Sequence, residues 1–105
     1  MTIAAITIWE GTLKGIEMLV EGSKLSAPIH KEMGAKNPRL WRTSVGPEVH
    51  QAIYEMHFDS HEADGRFTDK MMSSDWWAGT SEWMQTNHGE IKNMGTTVLY
   101  DALAD

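Results

Sequence analysis

The chain has no cysteine in its 105 residues. That excludes disulfides, a thiol nucleophile and a thiolate metal site, and it fits a cytoplasmic protein. Positive charge is scarce: 9 Lys and Arg stand against 15 Asp and Glu, a formal net charge of −6. Phosphate recognition needs a basic patch, so neither a nucleic acid nor an anionic membrane surface is an expected partner. No apolar run approaches the roughly 20 residues a membrane-spanning helix requires. The opening stretch MTIAAITIWEG lacks a basic segment and carries Thr and Glu where an apolar signal core would stand, so no signal peptide is expected. A phosphate-binding glycine loop, a GxSxG elbow and paired histidines on one element are all missing.

What the chain does have is an excess of large adaptable side chains, 8 Met and 5 Trp. Such groups fill cores and also line pockets and interfaces. The length suits one domain spanning residues 1–105, with a small core and much exposed surface.

TIAAITIWEG reads as a strand closing at Gly11, with Ile6 and Ile8 on one face and Ile3, Ala5 and Trp9 on the other. Apolar residues on both sides suit a strand covered on both sides. From Leu13 to Met33 the period becomes helical: Ile16, Leu19, Val20, Ser23, Ala27 and His30 recur at spacings of three and four. Pro28 is a candidate kink and Gly34 a candidate stop. Strands are expected over Leu40–Val45 and Val49–Phe58 around a Gly46-Pro47 turn. In the second of these, Tyr54, Met56 and Phe58 share one face, and Ile53, Glu55 and His57 the other. HEADGRFTDKMM is a second helical region behind Ser60, and it restarts at Ser73-Ser74-Asp75. Trp76, Trp77, Thr80, Trp83 and Met84 then make one apolar helix face ending at Asn87-His88-Gly89. GTTVLYDALAD reads as a last strand running to the C-terminus.

The order β-α-β-β-α-β, with its second helix interrupted, folds into an α+β ferredoxin-like arrangement: a four-stranded antiparallel sheet with helices on one face. The uncovered face carries apolar and aromatic groups, with Trp9, Trp41, Tyr54 and Tyr100 distributed over the sheet. It must meet something, and a second copy of the chain is the simplest cover.

The segments LWRTSVGPEVHQAIYEMHFDS and MMSSDWW, together with the order of elements, resemble the dimeric α/β-barrel superfamily and, within it, NIPSNAP-type domains. In that family a helix leads to a short aspartate-centred break and then a tryptophan, as in Asp75-Trp76-Trp77 here. The first strand departs from the usual NIPSNAP pattern, reading AITIWEG where a Glu-x-Arg pattern is customary. The resemblance implies a homodimer whose two sheets close into a barrel, with a pocket between each sheet and its helices. It also implies the range of activities found there: cofactor-free monooxygenases, isomerases, dehalogenases and haem-degrading enzymes.

The candidate chemistry is spread over several residues. His57 and Glu55 share a strand face, so His57 is a candidate general base oriented by Glu55 if that face looks toward the helices, and an interface contact if it does not. A register slip of one residue makes Tyr54 the pocket group instead. His30 lies on the apolar stripe of the first helix and gains interest only if it meets His57, Tyr54 or Trp9. Trp9, Arg42, Trp77 and Trp83 are candidate substrate-binding groups, because the cofactor-free oxygenases that the chain resembles hold electron-rich substrates with such side chains. His88 follows Trp77 by eleven residues, about three helical turns. Haem-degrading members of the superfamily place a tryptophan and a haem-ligating histidine at that spacing, but they also use a first-strand asparagine, where this chain offers Thr7 or Trp9. The plainer role for His88 is to cap the helix C-terminus. His57, Asp59, His61 and Asp64 cluster in sequence but fall on different elements, so no metal site is expected.

The sequence therefore describes a small-molecule-binding homodimer or enzyme, with a cofactor-independent monooxygenase or isomerase acting on a hydrophobic or aromatic compound as its catalytic form. The expected catalytic set is His57, Tyr54 and His30, and the binding set is Trp9, Arg42, Trp77, Trp83 and His88, with no cofactor. The alternatives are a non-catalytic ligand-binding or interaction dimer and a haem-binding protein.

Overall fold

In a computed structural model that describes residues 1–104, the elements run β1 (Ile3–Gly11), α1 (Leu13–Glu32), β2 (Lys36–Arg42), β3 (Gln51–Phe58), α2 (His61–Met72), α3 (Asp75–Thr86) and β4 (Ile91–Tyr100). The strands form one antiparallel sheet in the order β2-β3-β1-β4. This is the ferredoxin-like α+β arrangement, with β1 and β3 at the centre.

The central strands set the faces. In β1, Ile3, Ala5, Thr7 and Trp9 are buried, and the intervening residues are more open. Its partner β3 answers with Ala52, Tyr54, Met56 and Phe58 buried, matched through Ile3↔Phe58, Ala5↔Met56, Thr7↔Tyr54 and Trp9↔Ala52. The helices pack on this side. Ile16 and Leu19 of α1, Phe67 of α2 and Ile91 at the start of β4 complete the core. Phe58, Ile3, Ile16 and Ile91 are its largest fully buried side chains. Burying each of them contributes roughly 1.5–3 kcal/mol.

Each helix start uses a hydroxyl to accept an otherwise unpaired backbone N–H. Thr12 accepts from Gly15, Ser60 from Ala63, and Ser74 from Trp77. The helix α1 runs continuously through Pro28, where a kink or break is expected from sequence, and Gly34 (φ 111°) follows its end in the left-handed conformation that glycine favours. At the other end of α1, Gly15 packs against the backbone at Glu90, where no side chain would fit.

Three strands differ in their boundaries from the sequence expectation. The strand β2 occupies Lys36–Arg42 rather than Leu40–Val45. Its pairing begins with Lys36 opposite His57, and the register shifts between Lys36 and Arg39, where Asn37 adopts a positive φ of 52°. It ends early because the Thr43 hydroxyl donates to the Glu48 carbonyl at 2.8 Å and folds the connection to β3 into a loop. That loop delays β3 to Gln51. The strand β4 begins at Ile91 and stops at Tyr100, since the Asp101 carboxylate accepts the Leu103 backbone N–H at 2.9 Å and turns the chain. A bulge at Gly95 (φ 108°) lies where β4 passes Ile8.

Candidate functional site

The helix-facing side of β3 presents Tyr54 to α1, and α1 presents His30 to β3. The His30 Nδ1 and the Tyr54 hydroxyl are 2.7 Å apart and buried. Three aromatic rings stand edge-on around the imidazole: Trp76 at 4.4 Å between centroids, Tyr54 at 5.4 Å and Phe67 at 5.7 Å. Trp76 is itself held by its indole N–H, which donates to the Ser26 hydroxyl one turn back on α1 at 2.8 Å. The group is thus assembled from α1, β3, α2 and α3, and the break at Ser73-Ser74 lets α3 swing Trp76 onto α1.

Burial decides the charge of this pair. Removing the imidazole from water pushes the His30 pKa from the usual 6.5 down to about 4, so the ring is neutral near neutral pH. The same desolvation pushes the Tyr54 phenol well above its ordinary range, which keeps it protonated. Two neutral partners therefore share one proton-bearing contact. The Tyr54 oxygen retains a second hydrogen-bonding position whichever ring tautomer is present.

Tyr54 also lines a cleft of about 360 Å³ between α1 and β2. Val20, Ala27, Pro38 and Leu40 form apolar walls, and Lys24 and Arg42 stand among the lining residues. The Arg42 guanidinium donates to the carboxylate of Glu17, an exposed residue of α1. The half-buried stripe of α1 that includes Val20, Ser23 and Ala27 is thus a cleft wall rather than core.

The remaining expected residues fall elsewhere. His57 lies on the opposite sheet face from His30 and Tyr54, so it is not a base acting in this cleft. It contacts Glu55 Oε2 through Nε2 at 2.6 Å, and the Trp41 indole N–H donates to Glu55 Oε1 at 3.2 Å. Trp9 and Trp83 meet edge-to-face at 6.4 Å. Neither they nor Trp77, which stacks obliquely on Trp76 at 6.2 Å, line the α1–β2 cleft. His88 does not continue a helical face from Trp77. The helix α3 stops at Thr86, Asn87 caps it by donating its N–H to the Trp83 carbonyl, and His88 is exposed beyond the end. It lines a second, more polar cleft of about 520 Å³ with His50, Glu10 and Glu90. The spacing argument for a haem-ligating pair therefore does not apply, and the capping role belongs to Asn87. Asp59 is occupied by Lys36 at 2.8 Å, which holds its carboxyl below the usual range. Among the described residues, no group of three or more His, Asp or Glu is placed to hold a metal.

The sequence names both His30 and Tyr54 but not their pairing with Trp76, because a contact between residues 24 positions apart depends on how α1 crosses the sheet. Lys24 is missed altogether. The signal that could have found it is its place four residues after Val20 and three before Ala27, on the cleft side of α1.

The other sheet face carries Ile6, Ile8, Ile53 and Trp41, with Leu99 beside Ala4. Among the described residues no helix covers it: Trp41 is 50 % exposed and Leu99 48 %. No helix of the described residues is long and apolar enough to cross a membrane.

No protein-family model and no curated protein matches the chain. Solved structures do. A dimeric ferredoxin-like protein from an uncultured marine organism superposes with a TM-score of 0.76 at 11% identity, over 99% of this chain and 98% of that one. An uncharacterised NIPSNAP-like domain protein from Burkholderia xenovorans gives 0.70 at 12% identity, over 99% and 89%. A protein of Deinococcus radiodurans assigned as an antibiotic biosynthesis monooxygenase gives 0.70 at 11% identity, over 100% and 96%. The chain has the fold shared by ferredoxin-like dimeric, NIPSNAP-type and antibiotic-monooxygenase-type proteins.

Proposed function

We propose that the protein is a small-molecule-binding homodimer that receives a hydrophobic or aromatic compound in the α1–β2 cleft, against Tyr54. The observation that carries this reading is the buried His30–Tyr54 contact at 2.7 Å behind a cleft that Tyr54 lines. A polar side chain held among apolar walls fixes the orientation of a ligand, while those walls supply affinity. The volume of about 360 Å³ falls within the range of small-molecule sites and suits a compound of one or two rings. Dimerisation is supported by the uncovered apolar sheet face and by the dimeric ferredoxin-like neighbour.

The catalytic form of this reading is a cofactor-independent monooxygenase, favoured over an isomerase by the antibiotic-monooxygenase-type neighbour. Without a cofactor the substrate must supply the electrons that reduce oxygen, so it must be electron-rich. The pair would hold the substrate hydroxyl through Tyr54. With its pKa near 4, His30 is a good neutral hydrogen-bond partner and a weak base, so the pair orients a hydroxyl better than it removes its proton.

A panel of phenols and polycyclic hydroxyaromatics, screened by thermal shift and by oxygen uptake, tests both levels. Stabilisation by a phenol that disappears in Tyr54→Phe supports binding, and oxygen uptake with that compound supports catalysis. A panel that binds equally well to wild type and Tyr54→Phe would remove the Tyr54 site.

A further inference from the structure

We infer that the ligand of the α1–β2 cleft is an anion, a small aromatic carboxylate whose carboxylate sits on Arg42 and Lys24 while its ring lies against Tyr54. This rests on the reading of the cleft as the binding site. The chain is strongly acidic, with 15 Asp and Glu against 9 Lys and Arg, yet every charged residue lining this cleft is basic: Lys24, Arg39 and Arg42. Arg39 touches the edge of the cleft, but its guanidinium stands 6.0 Å from the Trp41 ring. Lys24 and Arg42 remain at the cleft.

Arg42 already shows what it accepts. It holds the Glu17 carboxylate of α1. Lys24 is engaged by Glu21, also on α1, at 2.9 Å. Both pairs are solvent-exposed, with 39% and 61% of the Arg42 and Glu17 side chains accessible and 65% and 69% of Lys24 and Glu21. Exposed pairs of this kind are weak, so an incoming carboxylate exchanges with them at little cost. An arginine offers five N–H donors in a planar fork, and one carboxylate partner leaves others unused. The walls between these cations and Tyr54 are Val20, Ala27 and Leu40, which suit a ring and not a second charge. Glu17 thus acts as an internal competitor for the ligand's carboxylate.

The test compares para-hydroxybenzoate with para-hydroxybenzamide by titration calorimetry near pH 7 and low salt. The two probes share ring, hydroxyl and shape and differ in charge. The expected result is tighter binding of the carboxylate by about tenfold, the scale of one charge-assisted hydrogen bond. Arg42→Gln should weaken the carboxylate by about threefold, and Arg42→Gln combined with Lys24→Gln should bring it to the level of the amide. Glu17→Gln should tighten the carboxylate by about threefold through loss of the competitor, and Lys24→Gln should weaken it by a similar factor. If Arg42→Gln fails to fold, those two exposed substitutions carry the test. Equal binding of both probes, lost when Ala27→Trp fills the cleft, would overturn the anion assignment and leave the cleft reading standing. Absence of binding by either probe at millimolar concentration would overturn both.

Discussion

The His30 Nδ1 and the Tyr54 hydroxyl, on α1 and β3, satisfy each other at 2.7 Å inside the helix–sheet interface. Removing one partner leaves the other buried and unpaired, which costs about 1–3 kcal/mol. Tyr54→Phe is therefore expected to destabilise by that amount, and His30→Leu by at least as much, because it also removes the ring against which Trp76 and Phe67 pack. The double variant should cost less than the sum, with a coupling of about 1 kcal/mol. Urea denaturation at one fixed protein concentration measures all three. Strict additivity would mean that the contact contributes nothing to the fold.

The same histidine gives stability a pH dependence of definite sign. Its pKa falls from 6.5 when exposed to about 4 in the folded chain, because burial penalises the imidazolium. Above the unfolded value neither state holds the proton. Below it the unfolded chain takes up a proton that the folded chain refuses, so stability declines from about pH 6.5 towards pH 4 and then levels off for this group. The full decline is at most about 3 kcal/mol. Denaturation midpoints measured between neutral pH and pH 4 should show the fall in wild type and a flatter profile in His30→Leu. An equal slope in both would assign the acid sensitivity to other groups.

Periodicity carried much of this structure. Alternation in β1 and β3 identifies which residues share a face, and the hydroxyls of Ser60 and Ser74 mark the helix starts that the structure shows. What the pattern cannot state is which face of β3 looks at the helices. Ile53, Glu55 and His57 are as plausible an inner set as Tyr54 and Met56 until the partners Thr7 and Ala5 fix the register. His57 and Tyr54 therefore compete for the same role in sequence and separate onto opposite faces in space. Boundaries blurred for a local reason, since neither the positive φ of Asn37 nor the Asp101 turn is announced by hydrophobic spacing. His88 shows the limit of helical spacing: eleven residues are three turns only while the helix lasts, and it ends at Thr86.

Two glycines of α1 should respond oppositely to the same substitution. A Cβ at Gly15 would stand 1.9 Å from the Glu90 carbonyl oxygen, a backbone atom that cannot step aside, whereas a Cβ at Gly22 meets nothing within 4 Å. Gly22→Ala should stabilise by about 0.5–1 kcal/mol through helix propensity and the unfolded state. Gly15→Ala should lose at least about 2 kcal/mol despite the same propensity gain, since the clash forces α1 away from the start of β4. Thermal melts of the two variants beside wild type decide the matter. A stabilised Gly15→Ala would mean that α1 does not approach Glu90 this closely.

The uncovered sheet face makes the last prediction. Ile53 lies between Ile8 and Trp41 in the register, at the middle of an apolar stripe that the chain leaves open to water. A charge introduced there disturbs no helix packing, because Tyr54 and Met56 hold the opposite side. In a dimer that buries the stripe it would place two unpaired charges in the interface, at several kcal/mol each. Ile53→Asp is therefore expected to convert a dimer into a folded monomer. Light scattering after size exclusion reads the mass, and far-ultraviolet circular dichroism confirms that the sheet and helices persist. A wild-type chain already monomeric at micromolar concentration, or an Ile53→Asp chain that stays dimeric, would show that a second copy does not cover this face.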